Sequence, residues 1–313
     1  MIKNITILGA GTMGHGTAII FGRFGYKIKI FEPFESAREN AARKIKEAHD
    51  LMLKEGYINQ EEYDLGVTAC TFYDDLEEAA KDADLVIEAC PEIVELKQDH
   101  FAKLDKICKP TTIFGTNTSS LKLQDIMAKI SPERFKKAMV IHFYNPAYLI
   151  PIVELSNFGN MAKEDFEEVK ALFVACKKVP VGILKDIPGM IANRMLHAQA
   201  REVFYLNQIG AATTEDIEKT LMYGPSFRNA TTGMLEVADM GGLDIWCTVG
   251  DNLFPAICSD SKSCDSIRGH VENGELGLKS GKGFFEYGKD EDKYGEFLKR
   301  LITQLKASET YMK

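Results

Sequence analysis

From residue 5 to residue 184, short apolar runs alternate with longer stretches in which apolar residues recur at helical spacing. Ile5-Thr6-Ile7-Leu8 is a β-branched run that predicts a strand, and a helix-compatible segment follows it as far as Gly25. A second strand is expected over 27–31, then a charge-rich amphipathic helix over 35–55 that Gly56 stops. Further strands are expected at 67–73, 85–87, 111–115, 138–141, 150–155 and 179–184. Between them fall a helix capped by Asp74-Asp75 and ending before Asp84, one beginning near Glu92, and two more over 121–130 and 163–176. This alternation predicts an α/β domain with a predominantly parallel sheet.

The alternation stops at Lys185-Asp186-Ile187-Pro188-Gly189, and helix patterns then cover 190–208, 215–222, a segment around 234–239, and 242–257. A glycine-rich turn with aromatics at 277–285 precedes a charged C-terminal helix. The expected organisation is an α/β domain over 1–186 followed by an all-α domain over 187–313. No internal repeat or low-complexity tract interrupts it.

A length of 313 residues accommodates two domains with real cores, and 45% hydrophobic with 27% charged residues is an ordinary globular composition. No apolar run approaches the roughly 20 residues a membrane span requires, and the N-terminus enters the first strand almost at once. Neither a signal peptide nor a membrane partner is expected, which leaves the cytoplasm as the default location. The seven cysteines form no C-x-x-C pair, and several end apolar strands, which suits reduced thiols better than a disulfide framework. Cys258, Cys264 and His270 are too loosely spaced for zinc, so no metal is expected. A net charge of −8 argues against nucleic acid as a partner but leaves a phosphorylated cofactor open.

The first strand runs directly into Gly9-Ala10-Gly11-Thr12-Met13-Gly14, the G-x-G-x-x-G spacing. Gly9 permits the tight turn, Gly11 lets a pyrophosphate approach the backbone, and Gly14 lets helix and strand pack closely. The second strand ends on Glu32, roughly 20 residues further on, where a carboxylate accepts hydrogen bonds from adenosine ribose hydroxyls and repels a 2′-phosphate. Strand, glycines, helix, second strand and acid in that order separate this from an ordinary βα turn and point to NAD rather than NADP.

Two loops follow at the carboxyl ends of expected strands, where ligands sit in open α/β sheets: 88–92, with Glu92 and then Lys97, and 116–120, with Asn117, Ser119 and Ser120. One of the two serines suffices to cap the next helix, which leaves the other for a site. His142 follows an apolar strand, and its imidazole titrates near neutrality, as a base for a hydroxyl proton must. Glu154 is an unexpected charge in an apolar strand and requires a partner if buried. It is suited to bond the far ring nitrogen of His142, although a structural histidine at a strand end remains the open alternative. The bases Arg43, Lys44, Lys46 and Lys54 either pair with neighbouring glutamates on a solvated face or meet substrate phosphates.

The motifs ILGAGTMGHG, LVIEACPE with Lys97, NTSSL, HFYNP followed by IVEL, PGMIANR, LEVADMGGLD and GLKSGKGFFEY occur in order over nearly the whole chain. In them the sequence resembles the L-3-hydroxyacyl-CoA dehydrogenases of fatty-acid oxidation and butyrate-type fermentation. The resemblance implies a Rossmann-like NAD-binding domain with extra strands and a helical C-terminal domain that makes a homodimer. It implies His142 as catalytic base, Glu154 as the carboxylate orienting it, and Ser119 and Asn193 as hydrogen-bonding partners of the reacting oxygen and substrate. Glu92, Lys97, Asn117, Asn145 and Lys279 fall on cofactor-contacting positions, as does Glu32, where aspartate is commoner. The implied substrate is an acyl-CoA, with short chains such as 3-hydroxybutyryl-CoA first. Two departures keep a non-CoA 3-hydroxy acid, of the gulonate or carnitine type, as the alternative. The segment GPSFRNATTGMLE has Met234 where a proline usually follows the glycine, and PAYLIPIVEL is similar to the sugar-acid branch. A catalytically silent NAD-binding or structural protein is a third reading, against which the intact His142, Glu154, Ser119 and Asn193 set argues.

Overall fold

The fold is that of a computed structural model, which describes residues 2–288 and 291–311, so that the expected domain ends at 1 and 313 lie outside it. Eight strands form one sheet: β1 (Asn4–Leu8), β2 (Lys27–Phe31), β3 (Cys70–Tyr73), β4 (Leu85–Glu88), β5 (Ile113–Thr116), β6 (Ala138–Phe143), β7 (Ile152–Ser156) and β8 (Val179–Ile183). Their order is β3-β2-β1-β4-β5-β6-β7-β8, parallel throughout except for the β6–β7 pair. Among the described residues, these helices accompany them: α1 (Thr12–Gly22), α2 (Glu35–Lys54), α3 (Gln60–Thr68), α4 (Leu76–Ala80), α5 (Val94–Ile107), α6 (Leu123–Ile126), α7 (Pro132–Phe135) and α8 (Lys163–Ala175). The chain crosses from β3 at one edge to β4 beside β1, so the strand order reverses between β1 and β4. Ligands bind at such switch points.

The central strands are buried along their whole length, as runs such as Leu85-Val86-Ile87 require of a sheet covered on both faces. Side chains alternate between two apolar layers. Ile5, Ile7, Ile141, Phe143 and Val153 join Phe21 and Phe173 on one side, while Leu8, Val86, Phe114, Val140 and Met190 join Phe101 on the other.

The structure corrects several boundaries. The strand expected over 67–73 begins only at Cys70, because 60–68 forms α3. Its start is a capping box in which Asn59 Oδ1 accepts from Glu62 N (2.9 Å) and Glu62 Oε2 from Asn59 N (3.1 Å), a signal present in the sequence as Asn59-x-x-Glu62. The helix expected over 121–130 shrinks to the single turn of α6. The strand expected to stop at Ile141 continues through Phe143, so His142 lies inside it.

The chain divides into two compact units, Met1–Ile191 with Leu298–Leu305, and Ala192–Phe297 with Lys306–Lys313. The second contains α9 (Ala192–Gln208), α10 (Thr214–Tyr223), α11 (Pro225–Asn229), α12 (Met234–Gly241), α13 (Leu243–Leu253) and α14 (Asp265–Glu272). The last helix, α15 (Lys293–Ser308), was expected to belong wholly to the helical domain. Its Leu298–Leu305 stretch groups instead with the first unit, where Leu298 and Ile302 are buried in the core. Among the described residues no helix is long and apolar enough to cross a membrane.

The connection between β6 and β7 is held from below by Lys178, whose buried ammonium donates to the carbonyls of Ala147 and Ile150 (2.7 Å to the latter). Burial, and then the charge of Arg23, pushes this ammonium down to about 7. Between that pH and the ordinary lysine range, the unfolded chain holds a proton that the native chain has released. Stability therefore rises with pH through this window and is lost as pH falls toward 7. Urea unfolding between pH 7 and 9 is expected to show a rise on the order of 1 kcal/mol per pH unit, flattened in Lys178→Met. An equal slope in that variant would assign the rise elsewhere.

Candidate active site

The glycine loop leaves β1 with Gly9 at φ 93°, where its amide donates to the Phe31 carbonyl (2.8 Å) and ties the turn to β2. A Cβ at Gly14 would overlap the Gly9 carbonyl oxygen, so helix and loop approach as only glycine allows. A Cβ at Gly11 would meet nothing within 4 Å, which leaves an open approach to the backbone there. Helix α1 has neither a side-chain cap nor an acidic residue in its first turn. Its N-terminal amides and the positive end of its dipole thus face that opening, the arrangement that receives a diphosphate. Ala10, Thr12 and Met13 complete the loop. At its rim Glu32 Oε2 accepts from Ala10 N (3.0 Å) and Oε1 from Phe34 N (3.2 Å), fixing the carboxylate at the end of β2.

Across the switch point lies a buried ion pair. Lys97 Nζ donates to Glu88 Oε1 (2.6 Å) and stands 3.4 Å from Glu92 Oε2, and both Lys97 and Glu88 are almost wholly inaccessible. Glu88 also accepts from Thr116 Oγ1 (2.6 Å) and Cys90 N (2.6 Å). Sequence reasoning took Glu88 as loop and missed it, although a charge directly ending a buried apolar strand was a signal. Lys97, expected against the cofactor, here has its ammonium engaged by two carboxylates.

Thr118 Oγ1 donates to Glu92 (2.9 Å) and accepts from Leu121 N (3.1 Å), so the turn into α6 is satisfied by Thr118 and by neither serine. Ser119 is half-buried, with its amide 3.3 Å from Glu92 Oε1. Asn117 Oδ1 accepts from Phe143 N (3.0 Å) and its own amide donates to the Glu88 carbonyl (2.8 Å), joining the ends of β4, β5 and β6. Asn145 is exposed in the turn after β6.

On the antiparallel pair, His142 stands directly opposite Glu154. Its Nδ1–H donates to Glu154 Oε2 (2.7 Å), while Glu154 Oε1 accepts from Ile191 N (2.9 Å). Both side chains are buried. The bond to Nδ1 leaves Nε2 as the acceptor nitrogen of a neutral imidazole, and it makes no hydrogen bond among the described residues. Burial, and then the Glu154 charge, raises the nearby Tyr144 phenol above its ordinary value. Asn193 and Lys279 belong to the second unit. Asn193 is half-buried in the first turn of α9, and Lys279 is exposed beside a cavity of about 530 Å³ lined by Phe204, Ile267 and His270. His270, considered for zinc, instead bonds Glu275 (2.6 Å).

A glycine loop at a topological switch point, an acid closing β2 and an uncapped helix start define an NAD-binding domain of the dehydrogenase class. Comparison narrows the class. Residues 4–187 match the 3-hydroxyacyl-CoA dehydrogenase NAD-binding domain, and residues 189–287 match the C-terminal domain of the same family. The chain belongs to the 3-hydroxyacyl-CoA dehydrogenase family, NAD-dependent oxidoreductases that act on a CH–OH group. It is 32% identical over 288 residues to a probable 3-hydroxybutyryl-CoA dehydrogenase of Bacillus subtilis, covering 91% of this chain and 98% of the relative. It is 30% identical over 294 residues to 5-formyl-3-hydroxy-2-methylpyridine 4-carboxylate 5-dehydrogenase of Mesorhizobium japonicum, covering 94% and 93%. A crystal structure of a 5-dehydrogenase of that pyridine carboxylic acid, described as an NAD+-dependent dismutase, superposes with a TM-score of 0.87 over 99% of both chains at 28% identity.

Because a methyl group at position 14 would drive the Gly9 carbonyl out of the loop, Gly14→Ala is expected to weaken NADH binding by about tenfold or more. Fluorescence titration of NADH measures this, with circular dichroism as the control for folding. Affinity within twofold of the parent would separate the loop from the cofactor.

Proposed function

We propose that the chain oxidises the 3-hydroxyl of a 3-hydroxyacyl-CoA, with short substrates such as 3-hydroxybutyryl-CoA foremost, and reduces the 3-keto compound in reverse. One observation carries the chemistry: a buried imidazole whose Nδ1 is held by Glu154 at 2.7 Å, leaving Nε2 as its acceptor. In oxidation Nε2 of His142 takes the hydroxyl proton, and Glu154 holds the tautomer and stabilises the imidazolium that forms. In reduction the imidazolium returns the proton. Ser119 and Asn193 hydrogen-bond the oxygen as its charge changes, which contributes about 2–4 kcal/mol in comparable sites.

NAD, when bound, supplies the hydride acceptor for oxidation and, reduced, the donor for the reverse. The backbone from Gly9 through Gly14 meets its pyrophosphate, and Glu32 accepts from the adenosine ribose hydroxyls. Glu92, Asn117, Asn145 and Lys279 make the remaining contacts, with Lys97 fixing Glu92 in place. Two copies associate through the second unit. The support for this is the exposure of the large apolar side chains of Phe227, Leu235, Met240, Leu243, Ile245 and Phe254 on and beside α11 to α13, residues of the kind that a protein partner covers.

A second reading, a non-CoA hydroxy acid as substrate, is favoured by two observations. The bases of α2 are paired along their own helix, Arg43 and Lys44 with Glu47 and Lys46 with Asp50, which is the solvated-face alternative. The pyridine-carboxylate dehydrogenase matches this chain from end to end.

A panel of acetoacetyl-CoA, longer 3-ketoacyl-CoAs, and free 3-hydroxy and pyridine carboxylic acids decides between them. Oxidation of NADH with acetoacetyl-CoA supports the first reading, and turnover confined to free acids replaces it with the second. On whichever substrate is active, His142→Gln is expected to lower turnover by a factor on the order of 10²–10⁴ with NADH binding unchanged. Near-normal turnover would remove His142 from the mechanism.

A further inference from the structure

Two backbone amides of the segment that closes the first unit are directed at residues of the site proposed above. Gly189 N–H donates to the Ser119 carbonyl (3.1 Å), and Ile191 N–H donates to Glu154 Oε1 (2.9 Å). Between them Met190 is held at φ 48°, directly after Gly189 at φ 78°. Two successive left-handed residues turn the chain sharply. Glycine enters that region freely, whereas a side chain with a Cβ does so only under constraint. Here the constraint is visible. The Met190 side chain is buried in the layer that holds Val140 and Phe114, and its amide donates to the Ile187 carbonyl (3.0 Å). Strained backbone of this kind persists where the surroundings over-determine it, and it aims groups that an ordinary turn would point elsewhere.

We propose that Met190 is a positioning residue for the dehydrogenase chemistry: its left-handed backbone aims the Ile191 amide at Glu154, and that bond tunes how strongly Glu154 holds a proton on His142. The inference rests on the His142–Glu154 pair being the proton-handling centre. A carboxylate that accepts an additional N–H bond is the weaker base, so it stabilises the adjoining imidazolium less. Without the amide, His142 is harder to deprotonate. Titratable groups facing Glu154 include His142 from β6 and the Tyr144 phenol from the turn beyond it, and neither substitutes for a backbone donor on Oε1. Ile191 directly precedes Ala192, where α9 begins with Asn193 as its second residue. The same amide therefore sits one peptide bond from the helix that carries a proposed substrate contact.

Two variants separate backbone direction from side-chain packing. Met190→Gly keeps the left-handed backbone but deletes buried apolar volume. It is expected to lower Tm while retaining kcat within about threefold. Met190→Val resists the left-handed region. It is expected to lower kcat by about tenfold and to move the acid limb of the kcat/KM profile for oxidation to higher pH, with NADH affinity unchanged. Equal losses in both variants with unmoved pH profiles would overturn the proposal, because packing would then explain everything.

Hydrogen exchange on the unaltered protein tests it without any substrate and decides the matter if the valine variant does not fold. The Ile191 amide is expected to exchange about a hundredfold or more slower than an open amide, and to lose that protection in Glu154→Ala. An amide that exchanges freely in the parent sinks the bond, whatever the enzyme acts on. Failure of the His142→Gln experiment would remove the chemistry and leave this protection measurable.

Discussion

The candidate site depends on keeping a carboxylate out of water. Glu154 is 1% exposed, and an ionised carboxyl so placed is tolerated only when its oxygens are bonded. One oxygen takes the imidazole of His142 and the other a backbone amide. The first of these bonds requires two residues far apart in sequence to face each other on one side of a sheet. The antiparallel pair β6–β7 supplies that, because directly opposite residues on such a pair have Cβ atoms about 5 Å apart. The single reversal of strand direction in an otherwise parallel sheet is thus the feature that assembles the pair.

The rest of the sheet's carboxyl edge is braced in the same manner. Glu32 crosses to Ala10, Glu88 to Lys97 and Thr116, Asn117 to Phe143, and Thr118 to Glu92. These bonds tie strand ends, the loops that follow them and the first turn of α5 to one another, so the loops that carry the candidate site are fixed relative to one another before any ligand arrives. Such preorganisation is what lets fixed dipoles act on a reacting charge without first having to reorient. Removing one partner of the buried Glu88–Lys97 pair would strand a charge at a cost of about 3–5 kcal/mol, whereas the exposed pairs on α2 are screened by water and contribute little. The former is architecture. The latter belongs to a solvated helix face.

Reaction and substrate are therefore separate questions in this molecule. A histidine held by a carboxylate handles the proton of a hydroxyl regardless of what else the substrate carries, and relatives named for an acyl-CoA and for a pyridine carboxylate match the chain at similar identity.

The parts of the fold legible in the sequence are those governed by local rules. The glycine spacing, the acid that ends β2, the apolar runs of the central strands and the change from alternating elements to helices alone are written in neighbouring residues, and they predicted the parallel sheet and the helical unit. The capping box of α3 was equally local and was overlooked. The sequence by itself determined the NAD-binding class, because helix, strand and turn preferences act over a few residues. Only the tertiary structure decided that Lys97 pairs with Glu88, that Leu298 and Ile302 return to the first core, and that Ile191, 37 positions away, bonds Glu154. Those partners are chosen by which strand ends and loops come to lie side by side, and no spacing within the chain encodes them.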